Sequence, residues 1–589
     1  MLKSLRLDWY WNRLRCMSAG EVLYRIENKV AAIAQQKGIG VANRVPAPNV
    51  ENDGAPWFKA TRQVEAGPYL AAAGRVMDGR LDIFSLADVD YGTPPDWNRD
   101  PRTGVRAPLE FGKTLNYRDE AKVGDIKYLW EPNRHLQLVW LCQAFHLSGD
   151  AKYLDAFRAQ LESWFEQCPY LRGPNWTSSL ELGIRLINWS ICWQLVGGRQ
   201  SPLFDGAAGE AFLRRWLDSI YQHCHFIAGH WSRYSSANNH FIGEAAGLLV
   251  GAITWPYWRD SARWRKSAFD ILSREAQQQT CGDGVNREQA ISYQQFVFDF
   301  LLIAGFAARA QGQDFPGGYW SNIERMIEFI ASVMDCAGHV PMIGDADDGY
   351  AVAVSREADF CPYRSMLNTG AVLFERPALA AKAGRSDDKA RWLLGDGPGL
   401  PEAHRGPASH NPVQTAFPEG GYYILGSDYG TDEEIRMVVD AGPLGYLSIA
   451  AHGHADALAL VLSVGGEEIL IDPGTYAYHT QKRWRDYFRG TAAHNTVCVD
   501  HLDQSVSGGN FMWLRHASIG AVSWQESGEG ARLSAQHDGY RRLPDGVVHA
   551  RSVRFERQRR RFVIEDQLTC KSGHEVQRFW HFGENCRVE

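Results

Sequence analysis

A chain of 589 residues is too long for one hydrophobic core, so two or three domains are expected. Its 45% hydrophobic and 22% charged residues are those of an ordinary globular protein. No apolar run reaches the roughly 18 residues of a membrane span. A formal net charge of −7 excludes global attraction to nucleic acid, so an acidic ligand has to be met by a local basic cluster.

The opening segment, MLKSLRLDWYWNRLRCMSAG, carries a charged or polar group every few residues and has no apolar h-region. The 11 cysteines, Cys16, Cys142 and Cys336 among them, form no CxxC pair and read as buried thiols. The expectation is a cytoplasmic protein, with a periplasmic or secreted one as the alternative.

From about Leu129 to Gly338 apolar residues recur at helical spacing, as in SSLELGIRLINWSICWQLV from Ser178 and REQAISYQQFVFDFLLIAGFAARA from Arg287. Short Gly, Pro, Ser and Asp clusters separate the segments, as between antiparallel helical hairpins. Such hairpins can close into an (α/α) toroid. Sixteen of the 21 tryptophans lie between Trp9 and Trp320, which assigns most of them to the helical core.

After about Pro362 the texture changes. Residues 375–417 are rich in Gly, Pro, Asp and Arg and read as a linker or irregular excursion. From Gly420 short β-branched runs dominate, and Gly465-Gly466 between LALVLSV and EEILID signals a hairpin. The predicted class is multidomain α+β, an N-terminal (α/α) toroid followed by an antiparallel β-sandwich. The boundaries are 1–120 for a partly helical extension, 121–362 for the toroid, 363–417 for the linker and 418–589 for the sandwich.

Candidate chemistry is densest between Ala450 and Asp500. His452 and His454, one residue apart, share a face if they lie on a strand. Asp472 ends the next strand before Pro-Gly, and His494 enters another. Imidazoles with one carboxylate form a donor set that zinc prefers, and Asp456 is placed to orient one of the histidines. HGHAD also matches the HxHxD of metallo-hydrolases, but those need a His where this chain has Ala457. Between Asp472 and His494 lie Lys482, Arg483, Arg485 and Arg489 with Tyr478 and Tyr487, a cluster suited to an anionic sugar. The basic run RFERQRRRF at 554–562 reads as the outer face of a strand.

The segment HGHADALAL…IDPGTYAY…WRDYFRGTAAHNTV closely resembles the C-terminal signature of the heparinase II/III-like polysaccharide lyases, a superfamily that includes alginate and oligo-alginate lyases. LWEPNRHLQLVWL, NWTSSLELGIRLINW, SSANNHFIGEAAGL, DGVNREQAISYQQF and PMIGDADDG match upstream in the same order, so the likeness covers about residues 120 to 520. It implies one site-organising zinc on His454, Asp472 and His494, with His452 facing the substrate. It also implies proton transfer by Tyr293, and contact of Asn239 and His240 with a uronate carboxylate. Arg185, Glu244, Tyr478, Arg485 and Arg489 are expected to meet the substrate.

The implied reaction is β-elimination on a uronic-acid polysaccharide, giving 4,5-unsaturated products. It needs the carboxylate neutralised, the C5 proton removed and the leaving oxygen protonated. The first 120 residues depart from the secreted degraders and look more like members from bacterial surface-polysaccharide loci.

Other readings of the same residues remain. Tyr293 fits a helix core, Asn238-Asn239 a helix cap, and Glu181 an i,i+4 pair with Arg185. A glycoside hydrolase would use paired acids such as Asp283 and Glu288, or Asp345 and Asp347. A non-catalytic glycan-binding protein of polysaccharide assembly is the third reading.

Overall fold

A computed structural model describes residues 11–50, 53–396 and 413–589. Its helical part alternates two kinds of helix. Leu136–Ser148, Ser179–Leu195, Asn239–Thr254 and Ile291–Ala310 lie side by side as an inner layer. Lys152–Gln167, Gly206–Gly229, Arg259–Gln278 and Gly317–Val333 pack outside them.

The sequence dictates the division. Every residue of Ser179–Leu195 except Gln194 is buried, as expected of a helix apolar on all sides. Arg259–Gln278 buries Ser261, Trp264, Ala268, Ile271, Leu272 and Glu275, one stripe at helical spacing, and leaves its arginines outside. Ile291–Ala310 is long and apolar enough to cross a membrane by composition, but it is 89% buried within this fold.

Two inner helices cross at backbone contact. A Cβ on Gly247 would stand 2.3 Å from Gly183 Cα, so only glycine permits this approach.

Two expectations change here. Residues 363–396 are not a linker. They form the helices Pro362–Leu373, Pro377–Ala383 and Asp388–Leu394. The last is docked by a buried Lys389–Asp299 ion pair of 2.6 Å and by Trp392, whose indole donates to Tyr69. Left-handed glycines at Gly384 and Gly395 end these short helices, which gave the sequence its broken texture. The rest of the predicted excursion, 397–412, lies outside the described residues. The helical layer also begins ahead of residue 121, because Ala66–Met77 packs on Leu136–Ser148.

The C-terminal part is the predicted sandwich. One antiparallel sheet runs through Ala416–Phe417, Tyr422–Ser427, Ile435–Asp440, Leu460–Val464 and Glu467–Leu470. The other comprises Ser523–Ser527, Gly530–His537, Val548–Glu556 and Arg561–Thr569. Leu425, Met437, Val439 and Leu460 meet Leu533, Ala535, Val553 and Phe555 between them. Tyr422–Ser427 and Ile435–Asp440 are buried throughout, because their second face lies on the helical domain, where Tyr422 meets Phe329. Gly465 and Gly466 turn the hairpin with φ of 58° and 82°. The basic run at 554–562 spans a strand end, a turn and the next strand, with Phe555 facing the core.

All 11 cysteines are free thiols, and Cys142, Cys168, Cys192, Cys224, Cys281 and Cys498 are buried.

Candidate functional site

The N-terminal ends of Ser179–Leu195, Asn239–Thr254 and Ile291–Ala310 face loops of the sandwich across a cleft of about 430 Å³. Each end carries positive dipole character, which favours an anionic ligand. Asn239, His240, Glu244 and Tyr293 line it from the helical side, His452 and Tyr478 from the other. The cleft therefore unites six of the expected residues, which are spread over more than two hundred positions of the chain.

Asn238 caps its helix through a side-chain contact to the His240 N–H. Asn239 has a different task. Its backbone N–H and Nδ2 both donate to Glu288, each at 3.0 Å, and its Oδ1 is buried with no hydrogen-bond partner. Burial raises the Glu288 pKa and lowers that of His240 to about 4, so His240 is neutral near pH 7.

Tyr293 stacks on His452 with ring centroids 4.0 Å apart. Its hydroxyl lies 3.1 Å from that of Tyr478 and 3.5 Å from Asp347, which is ion-paired to Lys127. Burial, and then Asp347, push the Tyr293 phenol well above its ordinary pKa, so it rests as an O–H donor.

His452 and His454 do not sit on a strand. They occupy the loop between Ile435–Asp440 and Leu460–Val464, and Gly453 between them has a steric reason: a Cβ there would lie 1.5 Å from the Leu444 carbonyl oxygen. The two rings diverge, yet both donate to Asp345, His452 through Nδ1 at 3.0 Å and His454 through Nε2 at 2.9 Å. Burial opposes ionisation of Asp345, but Arg485 and the two histidines hold its pKa well below the carboxylate range.

His454, Asp472 and His494 converge, with candidate ligand atoms all within 4.8 Å. His454 Nδ1 and His494 Nε2 are buried and lack hydrogen-bond partners, and Asp472 lies 2.9 Å from His494 Nδ1. Two orphaned imidazole nitrogens beside a carboxylate fit a zinc ion. The carboxylate that orients His454 is Asp345, while Asp456, buried as well, acts electrostatically on His494.

Three expected substrate contacts lie away from the cleft. Arg185 is fully buried under the inner ring, where it contacts His223 and donates to the carbonyls of Asn133 and Asn175. Arg485 is spent on Asp345, with a 2.7 Å Nη2–Oδ2 contact. Arg489 donates to the Gly509 carbonyl beneath Trp513. The basic segment is the helix Lys482–Arg489, whose i,i+4 arginines Arg485 and Arg489 are both buried. Glu244 does reach the cleft, held by Ser232 N–H and Oγ at 2.7 and 2.6 Å, and burial lifts its pKa to about 7.

Glu181 pairs with Arg134 rather than Arg185, and Arg134 also takes Glu131 at 3.0 Å. The acids a hydrolase would use are engaged elsewhere. Asp345 and Asp347 are ion-paired, Glu288 holds Asn239, and Asp283 accepts the N–H groups of Glu419 and Gly420. Lys127, Asp345 and Glu288 are site residues that the motifs carried without revealing their partners.

The heparinase II/III N-terminus model matches residues 69–365, and the heparinase II/III-like C-terminal model matches residues 409–589. A heparin-sulfate lyase of Bacteroides stercoris is 25% identical over 494 residues, 79% of this chain and 65% of that protein. A heparin-sulfate lyase of Pedobacter heparinus is 24% identical, over 68% of this chain and 56% of that protein. The chain thus spans less than two thirds of either relative. Among solved structures, heparinase III aligns with a TM-score of 0.63 at 16% identity, covering 94% of this chain and 77% of that one. The heparan sulfate lyase HepC of Pedobacter heparinus aligns with a TM-score of 0.56 at 20% identity, covering 95% and 76%.

Proposed function

The chain belongs to the heparinase II/III-like family, and on that premise we propose that it is a polysaccharide lyase, cleaving an acidic, uronate-bearing polysaccharide by β-elimination. The observation that carries the reading is the pairing of a protonated phenol, Tyr293, with a carboxylate-oriented imidazole, His452, in one cleft beside Asn239 and His240.

Asn239 is held by Glu288 so that its remaining amide N–H, with His240, can receive the uronate carboxylate. Withdrawing charge from that carboxylate makes the C5 proton easier to remove. His452 donates Nδ1–H to Asp345, which leaves Nε2 as the acceptor for that proton. Tyr293 delivers its proton to the leaving glycosidic oxygen. The double bond forms as the C–O bond breaks, and no water is consumed. The ion-paired acids described above favour this route over hydrolysis.

We assign His454, Asp472 and His494 as the ligands of a zinc ion. Bound there, an ion would have a structural part, tying together the loops that carry these residues, and its ligand His454 shares Asp345 with His452.

The test is ultraviolet absorbance of the unsaturated uronate while protein meets heparan sulfate, hyaluronan, chondroitin, alginate and gellan-type polymers. A rise that falls about 10²–10⁴-fold in Tyr293→Phe is expected. New reducing ends without absorbance would turn the assignment to a hydrolase.

A further inference from the structure

The N-terminal segment precedes both family-matched spans, yet it takes part in the cleft. The helix Ala19–Gln36 places Tyr24, Arg25 and Asn28 on the cleft wall. It is fastened to the loop that leads into Asn239. Tyr24 donates to the Trp231 carbonyl at 2.6 Å, Arg13 reaches Ser235 at 2.5 Å, and His230 Nε2 meets Gln35 at 2.9 Å. Buried Glu21 binds Arg13 and Arg25 together. On the other side, Ser448 of the sandwich donates to the Cys16 carbonyl at 2.8 Å, next to the cleft-lining Ile449. Residues 13–36 therefore bridge the helical domain and the sandwich on this side of the cleft.

The cations of the cleft divide into two groups. Lys127, Arg134 and Arg25 are paired with Asp347, Glu181 and Glu21. Lys113, Arg118 and Arg233 have no carboxylate within 4 Å among the described residues. Lys113 donates to the Thr177 carbonyl at 3.5 Å and lies over the Phe226 ring, and burial lowers its pKa. Arg233 lies over Tyr24 of the bridging helix, and Arg118 over Tyr117. Glu244 acts on Lys113 from beyond ion-pair distance, and burial lifts its pKa to about 7, so it neutralises the ammonium only in part. A partly desolvated ammonium so weakly compensated is costly unless an anion joins it.

We propose that the bridge closes one side of the cleft and that Lys113 and Arg233 form an end subsite for the anionic terminal residue of the polysaccharide. The protein then engages chain ends rather than internal stretches. The proposal deepens the lyase reading and rests on it for the identity of the polymer class. A chain running through the cleft would have to displace the Cys16–Ser448 and Tyr24–Trp231 contacts; a chain end would not.

The experiment measures stoichiometry and affinity by calorimetry, using Tyr293→Phe full-length protein and heparan sulfate fractions of two lengths. The number of proteins bound per polymer chain should stay constant when the length doubles. Lys113→Met should weaken binding about tenfold, as loss of one charge-assisted contact does. Arg233→Gln, at an exposed position, should weaken it similarly and guards against a folding defect in the first variant. Stoichiometry that grows with length, unchanged affinity in both variants, or no binding at all would overturn the proposal. Wild-type absorbance is recorded in parallel. End-limited binding without unsaturated product would sink the lyase reading alone, and product with length-proportional binding would sink the end subsite alone.

Discussion

Asp345 accepts from His452 on one oxygen and from His454 on the other, while Arg485 holds both oxygens. Two residues two positions apart thus reach different sites and share one support. Asp345→Asn should reduce activity or zinc affinity by roughly 10–100-fold, as removal of such orienting partners does. Turnover and metal content measured on the same preparation would separate the two effects. Arg485 sits at the same junction, and its removal leaves Asp345 uncompensated in the interior. Arg485→Met should cost about 3–5 kcal/mol in urea unfolding. A raised KM at unchanged stability would instead return Arg485 to the role of substrate contact.

At the scale of elements, the inner helices work because their N-terminal ends converge, and that depends on how closely they pack. Gly183 and Gly247 set the approach of Ser179–Leu195 to Asn239–Thr254, the helix that carries Asn239 and His240. Gly247→Ala should destabilise by about 1–3 kcal/mol, read as a lower urea midpoint at unchanged slope. Gly453 has the parallel part in the sandwich, since no side chain fits against the Leu444 carbonyl. Neither glycine touches the cleft. Each fixes the backbone from which a cleft residue projects.

For the whole molecule, the cleft exists only where two domains meet. Tyr293 and Asn239 come from helices, His452 and Tyr478 from loops of the sandwich, and the strands Tyr422–Ser427 and Ile435–Asp440 are buried between the domains. A metal bound to His454, Asp472 and His494 would stabilise the folded state by its binding free energy. Chelation should therefore lower stability, by about 3 kcal/mol for an ion present at a hundred times its dissociation constant. The readout is a Tm that falls in chelator and returns with zinc. An unchanged Tm together with metal-free protein would refute the zinc assignment.

Periodicity determined the long helices between Leu129 and Gly338 and the change to strands after Gly420, because burial on one face or on all faces writes a repeat into the chain, whereas the short helices of Pro362–Leu394 left none. Gly465-Gly466 determined its hairpin, because that turn needs two left-handed residues. The ordered motifs around Asn239, Tyr293, His452 and His494 carried the site, since their chemistry is local to each motif. What the sequence misread were partners. A carboxylate and a guanidinium are equally plausible on a surface, in a cleft or in a core, and only packing chooses among these. Arg185 and Arg485 therefore look like substrate contacts in the sequence, although both find acceptors inside the protein, and Arg489 lies buried beneath Trp513 away from the cleft. The same holds for Asp345, whose function depends on residues more than a hundred positions away. The chain states which groups are present; the tertiary structure decides which charges are already paired and which remain for a ligand.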